Sequence, residues 1–184
     1  MENQNCYIDF EIPSDKNFLD LKNTFELIKE AKNDGRPQPD EFWLKHFPEY
    51  SLKQFYFLES DVKPVFKTAD KGEFIWHFYS LTSLLQTDYE IEYSDCFKLS
   101  DKSGRFVFVP FSYPYGGITG LIGFIASFNC KPISIDDGTS LYQISFLENG
   151  DFSIIDLNDP NRQDSSVQRF DAVGLLRKFA RRFK

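Results

Sequence analysis

The residues of this 184-residue chain best equipped for chemistry are two histidines, three cysteines and a few clustered carboxylates. His46 stands in His46-Phe47-Pro48-Glu49 at an expected helix end, where the helix dipole already favours a cation. His77 lies among Trp76, Phe78 and Tyr79, the setting of a packed or capping ring. A general base needs a partner to orient it and a proton to take, and the sequence identifies neither. No G-x-S-x-G elbow, P-loop or H-E-x-x-H motif occurs. Cys6, Cys96 and Cys130 are odd in number, widely separated and free of any C-x-x-C pair, so neither a zinc site nor a disulfide framework is expected. Asp136-Asp137 offers oxygen ligands to a divalent cation. Asp-Asp-Gly is first of all a turn, however, and the spaced acids of a Ca²⁺ loop are missing. No metal and no cofactor is therefore expected.

Two stretches are better candidates for recognition. Ser112-Tyr113-Pro114-Tyr115-Gly116-Gly117 precedes an apolar helical pattern. Backbone N–H groups at such a glycine-opened helix start can hold an anion, and the rings of Tyr113 and Tyr115 can stack on a flat ligand. Tyr113, Tyr115, Gly116 and Gly117 are thus the candidate ligand residues. The competing account is a strand-to-helix turn whose glycines permit close packing, and the G-x-G-x-x-G order of a dinucleotide site is absent. The second stretch holds Asp88, Glu90 and Glu92, alternate residues expected on the solvent face of one strand. Three like charges in a row are either a solvated face or a docking strip for a basic protein, where complementary charge speeds association.

The overall charge sharpens that contrast. The last eight residues hold Arg177, Lys178, Arg181, Arg182 and Lys184, leaving 16 basic against all 28 acidic residues in the preceding 176. An acidic body repels phosphates, so nucleic acid is not expected as a partner. Met1 to Phe10 has no basic segment followed by an apolar one, so no secretory leader is expected. The longest apolar stretch, Ile118 to Phe128, is 11 residues and broken by glycine, too short to span a bilayer. These features predict a soluble, cytoplasmic protein.

The elements that must position these residues are legible in part. Phe18, Leu21, Phe25 and Ile28 predict a helix over 14–33, capped by Ser14 or Asp15 and ended at Asn33-Asp34-Gly35. Glu41 to Phe47 predicts a short second helix, capped by Asp40 and ended by Pro48. Residues 50–67 are ambiguous, and 73–86 is read as a strand followed by a helical turn. Tyr89, Ile91, Tyr93, Phe97 and Leu99 alternate with polar residues, predicting a strand with those five on the core side. Arg105 to Phe111, apolar on both parities, reads as a strand that is central or covered on both faces. Ile118, Leu121, Ile122, Ile125 and Phe128 form a helical stripe; Gly116, Gly120, Gly123 and Ser127 form another, which implies close backbone packing.

The clearest local signal is the β-hairpin at 141–157. Asn149-Gly150 as a two-residue type I′ loop sets Ile144 opposite Ile155 and Tyr142 opposite Leu157, with Phe146 on the same core face. Leu147, Phe152 and Ile154 then make the second face apolar, calling for a cover or a partner. Asn158 to Ser166 reads as a loop. Residues 167–183 read as an amphipathic helix with Phe170, Val173, Leu176, Phe179, Ala180 and Phe183 on one side.

Together these predict one α+β domain over 1–184: an antiparallel or mixed sheet with helices on one face, including N- and C-terminal helices. The expected function is non-enzymatic binding of a protein partner, a basic one, with the general character of immunity or antitoxin proteins by class and without a motif. The alternatives are a small-molecule or anion-binding domain using Tyr113 to Gly117, and an enzyme with an unfamiliar site.

Overall fold

The fold is described from a computed structural model over residues 5–70, 76–88, 90–111, 118–146 and 152–158. Its centre is a six-stranded sheet in the order β2-β3-β1-β4-β5-β6, antiparallel at every pairing. The strands are β1 (Cys6–Glu11), β2 (Ile91–Ser100), β3 (Ser103–Pro110), β4 (Lys131–Asp136), β5 (Leu141–Phe146) and β6 (Phe152–Asp156). Among the described residues, five helices accompany the sheet in an α+β fold: α1 (Asp15–Asn33), α2 (Asp40–His46), α3 (Glu49–Leu52), α4 (Phe78–Ser83), which runs on into a π-helical turn at Leu84–Asp88, and α5 (Ile118–Ser127).

Local chemistry explains where α1 starts and stops. The Ser14 hydroxyl accepts from the Asn17 N–H, and Asp15 sits in the first turn, where negative charge is favoured. Phe18, Leu21, Phe25, Ile28 and Ala31 are buried along one stripe. At the far end Gly35 takes a positive φ of 60°, and the Arg36 N–H reaches back to the Ala31 carbonyl.

The sheet buries one face. Cys6, Ile8, Phe10, Phe106 and Phe108 are fully enclosed there, and the rings of Phe25 on α1 and Phe124 on α5 stand edge-on to Phe106. Gly123 explains the small-residue stripe of α5. A Cβ at that position would lie 2.6 Å from the Trp76 indole nitrogen, so the indole rests directly on the helix backbone. At the end of the stripe, the Ser51 hydroxyl on α3 donates to the Ser127 hydroxyl at 3.0 Å.

Two expectations change. Strand β1 lies between β3 and β4 at the middle of the sheet, although its alternating Cys6, Ile8 and Phe10 were not read as a strand. In β2 the pairing shifts between Tyr93 and Asp95, so Cys96 becomes the buried residue and Leu99 is exposed. One extra residue in a bulge reverses the parity beyond it. Over 73–86 the helical part of the expected strand and helical turn is α4 at 78–83, His77 forms a bridge with Tyr56, and 73–75 lie outside the described residues.

The hairpin is present with a register one residue away from the expected one. Ile144 pairs with Ile154, and Tyr142 with Asp156. The Asn149-Gly150 turn itself lies outside the described residues. The one-residue slip turns every β6 side chain to the opposite face. Phe152 and Ile154 therefore pack against the core, while Ile155 is 37% and Leu157 45% exposed. The apolar second face expected at Phe152 and Ile154 does not exist; Leu147 lies outside the described residues. A cysteine pair at the directly opposed Ser145 and Ser153 should oxidise readily to a disulfide. A pair at Ser145 and Ile154, with Cβ vectors on opposite faces, should stay reduced. Mass spectrometry before and after alkylation distinguishes the two outcomes.

Candidate functional site

Two places bring together groups that sequence order keeps apart. The first is His77. Its backbone precedes α4 in an extended conformation, and its ring nitrogen Nδ1 accepts the Ser80 backbone N–H at 3.3 Å, capping the helix. Because a backbone N–H can only donate, Nδ1 is unprotonated and the proton sits on Nε2. The Nε2–H then donates to Asp61 Oδ2 at 2.6 Å, and the Ser80 hydroxyl donates to Nδ1 at 2.8 Å. The result is a carboxylate–imidazole–hydroxyl chain of the polarity used in nucleophilic catalysis.

The surroundings of that chain are aromatic and acidic. The Tyr56 and Tyr79 rings flank the imidazole with centroids at 5.4 and 5.9 Å. Burial pushes the Tyr79 phenol up to about 12, and the charges of Asp40, Asp61 and Glu41 add to the shift. Asp61 is drawn two ways. Burial raises its pKa, but hydrogen bonds from His77 and the Leu58 N–H, with the charge of Lys63, bring it below the ordinary carboxylate value. His77 is only 8% exposed, which restricts access of a substrate to its ring.

The second place is the start of β2, an edge strand. Its first exposed side chain is Glu92, with Glu90 exposed just before the strand and Asp95 farther along. Beside them a surface cleft of about 520 Å³ is lined by Lys32, Pro37, Gln86, Ile91, Glu92 and Phe111, among others. One wall is fixed by a side-chain clamp. The Gln38 N–H donates to the Gln86 amide oxygen at 2.8 Å, and the Gln86 amide donates back to the Gln38 carbonyl at 3.2 Å. Phe111 is 68% exposed, and its N–H donates to the Glu90 carbonyl.

The sequence-predicted residues map unevenly onto these places. Glu92 is on β2 and lines the cleft, and Glu90 is exposed just before the strand. Asp88 is not on the strand, because the backbone at 84–88 is a π-helical turn. Tyr113, Tyr115, Gly116 and Gly117 lie outside the described residues, directly after Phe111 in the chain. His46 stacks on Phe42 at 3.9 Å with Nδ1 2.7 Å from the Phe42 carbonyl, a packing role. Asp137 accepts the Thr139 and Ser140 N–H groups and the Thr139 hydroxyl, and Asp136 accepts the Gly138 N–H. This pair builds a turn, and no group of acids, histidines and cysteines able to hold a metal occurs among the described residues.

The cysteines are poor nucleophiles. All three are buried, and burial raises each thiol, to about 11 for Cys6 and about 12 for Cys130, so the thiolate is scarce at neutral pH. Sequence reasoning missed the Asp61–His77–Ser80 chain. The i, i+3 spacing of His77 and Ser80 was a usable capping signal, but nothing local announces Asp61. Among the described residues, no helix is long and apolar enough to cross a membrane. No protein-family description, curated protein or solved structure matches the chain.

Proposed function

We propose that this chain is a non-enzymatic binding protein that takes a basic segment of a partner protein at the start of β2. The observation that carries the reading is the placement of exposed Glu92 on the sheet edge, with exposed Glu90 just before it in the chain, at a cleft with an exposed aromatic wall, Phe111. Carboxylates next to an aromatic face suit an arginine or lysine, whose cation pairs with the acid while its stem or guanidinium covers the ring. An edge strand also offers backbone groups to an added extended peptide. The cleft volume falls in the ordinary range for binding pockets, about 300–1,000 Å³.

The test is capture of partners at low salt from cells that make the protein. The wild-type chain should retain a protein whose contact segment is basic, and the complex should weaken steeply as salt rises. Glu90→Lys combined with Glu92→Lys should abolish retention while the thermal unfolding curve stays in place. Undiminished capture by that variant would remove the acidic strand start from the interface.

A second reading, a serine-dependent hydrolase, is favoured by the hydrogen-bonded order Asp61–His77–Ser80. Against it stand the burial of the imidazole and its use as a helix cap.

A further inference from the structure

The second face of the sheet carries two ladders that cross all six strands. One runs Asp95, Val107, Tyr7, Asp136, Leu141 and Leu157; the other runs Phe97, Arg105, Asp9, Ser134, Gln143 and Ile155. Every one of these residues is exposed or half-buried. The helix rings that meet the sheet lie on its other side, over Phe106. Arg105 is the single cation in the two ladders. It is already held by Asp9 through two hydrogen bonds of 2.7 and 2.9 Å and lies 3.7 Å over the Tyr7 ring. What remains is a surface of Val107, Tyr7, Leu141, Leu157, Phe97 and Ile155, with polar Ser134 and Gln143 and the carboxylates of Asp95 and Asp136 among them.

We propose that this face is the docking surface for the chain's own C-terminal segment, residues 167–183. Charge complementarity is the first argument. The segment's end carries Arg177, Lys178, Arg181 and Arg182, with Lys184 directly after it, whereas the two ladders hold three aspartates against one arginine. Pattern is the second. Phe170, Val173, Leu176, Phe179 and Phe183 give a helical segment an apolar side to lay on Val107, Leu141, Ile155 and Leu157.

Length and connection are the third argument. The segment follows β6, a sheet edge, and the connecting 159–166 can reach up to about 27 Å. A helix of 17 residues is about 25 Å long. Six strands spaced about 4.8 Å apart are about 24 Å across. The segment therefore matches the face in size, and a docked helix would turn the two-layer fold into a sheet covered on both sides.

Hydrogen exchange of the full chain tests the proposal. Amides of 170–183 should exchange at least ten-fold more slowly than those of an unstructured chain, independently of protein concentration. Ile155→Asp with Leu157→Asp should remove that protection while β1 and β3 amides keep theirs. A nitroxide on Gln143→Cys gives a second readout that needs no destabilising change. It labels selectively because the native cysteines are buried. It should broaden the resonances of 170–183, whereas a nitroxide on Asn23→Cys of α1 should not. Absence of both protection and broadening overturns the proposal. So does protection that survives the double variant, or that grows with concentration and so assigns the face to a second copy.

Discussion

Gly104→Ala is expected to destabilise the protein by about 1–3 kcal/mol, the usual cost of forcing an extra carbon into a packed core. Gly104 lies directly opposite Phe10 across the β1–β3 pair, and the Phe10 ring covers it. A Cβ there would meet Phe10 Cε2 and Cζ at 2.5 Å and the Phe97 carbonyl oxygen at 3.2 Å. Phe10 is completely enclosed, so its ring has nowhere to swing. Replacing glycine in a strand ordinarily gains about 0.5–1 kcal/mol through the unfolded chain, and here the clash outweighs that gain. Urea unfolding should show a lower midpoint with an unchanged slope. Phe10→Leu in the Gly104→Ala background should restore part of the loss, because the two changes share one contact. A Gly104→Ala protein as stable as the wild type would mean that β1 and β3 are not paired in this register.

His77→Ala should cost about 1–3 kcal/mol, because Asp61 loses its buried hydrogen-bond donor and the first turn of α4 loses its cap. Its pH dependence has a definite sign. The folded-state pKa of Asp61 is depressed, so its contribution is present above the unfolded carboxylate value near about 3.9 and fades as pH falls through the lower folded value. Acid unfolding of the wild type should therefore steepen below about pH 4, and Asp61→Asn should flatten that limb. The same site separates the two functional readings. A fluorophosphonate should leave Ser80 unmodified if His77 serves as a staple between the 58–61 turn and α4. Labelling of Ser80 that disappears in His77→Gln would instead establish an activated hydroxyl and overturn the non-enzymatic reading.

What could be read from the sequence alone was short-range. The α1 cap, stripe and stop, the α5 stripe and the presence of a hairpin at 141–157 all depend on residues within a few positions of one another. Capping hydrogen bonds and the helical and strand repeats act at that distance, so residue types alone suffice to place them. The acidic pair Glu90–Glu92 was legible for the same reason, as was the close approach implied by Gly123. Helix α4 was legible only as a helical turn within 73–86, because the aromatic run from Trp76 to Tyr79 suits a strand as well, and the cap that sets its start depends on which tautomer His77 adopts.

Everything set by distant pairing was decided by the tertiary structure. Strand β1 is central because Cys6–Glu11 pairs with Ser103–Pro110 on one side and Lys131–Asp136 on the other, across separations that no local pattern encodes. The bulge after Tyr93 and the slipped hairpin register each displace the pairing by one residue, and a period of two converts that single step into an exchange of faces. Asp61 meets His77 only because the 53–70 segment folds against α4. Residue types fixed which side chains could bury or bond locally. Only the folded chain determined which of them would share a face, because facing depends on how strands are brought into register across the whole sheet.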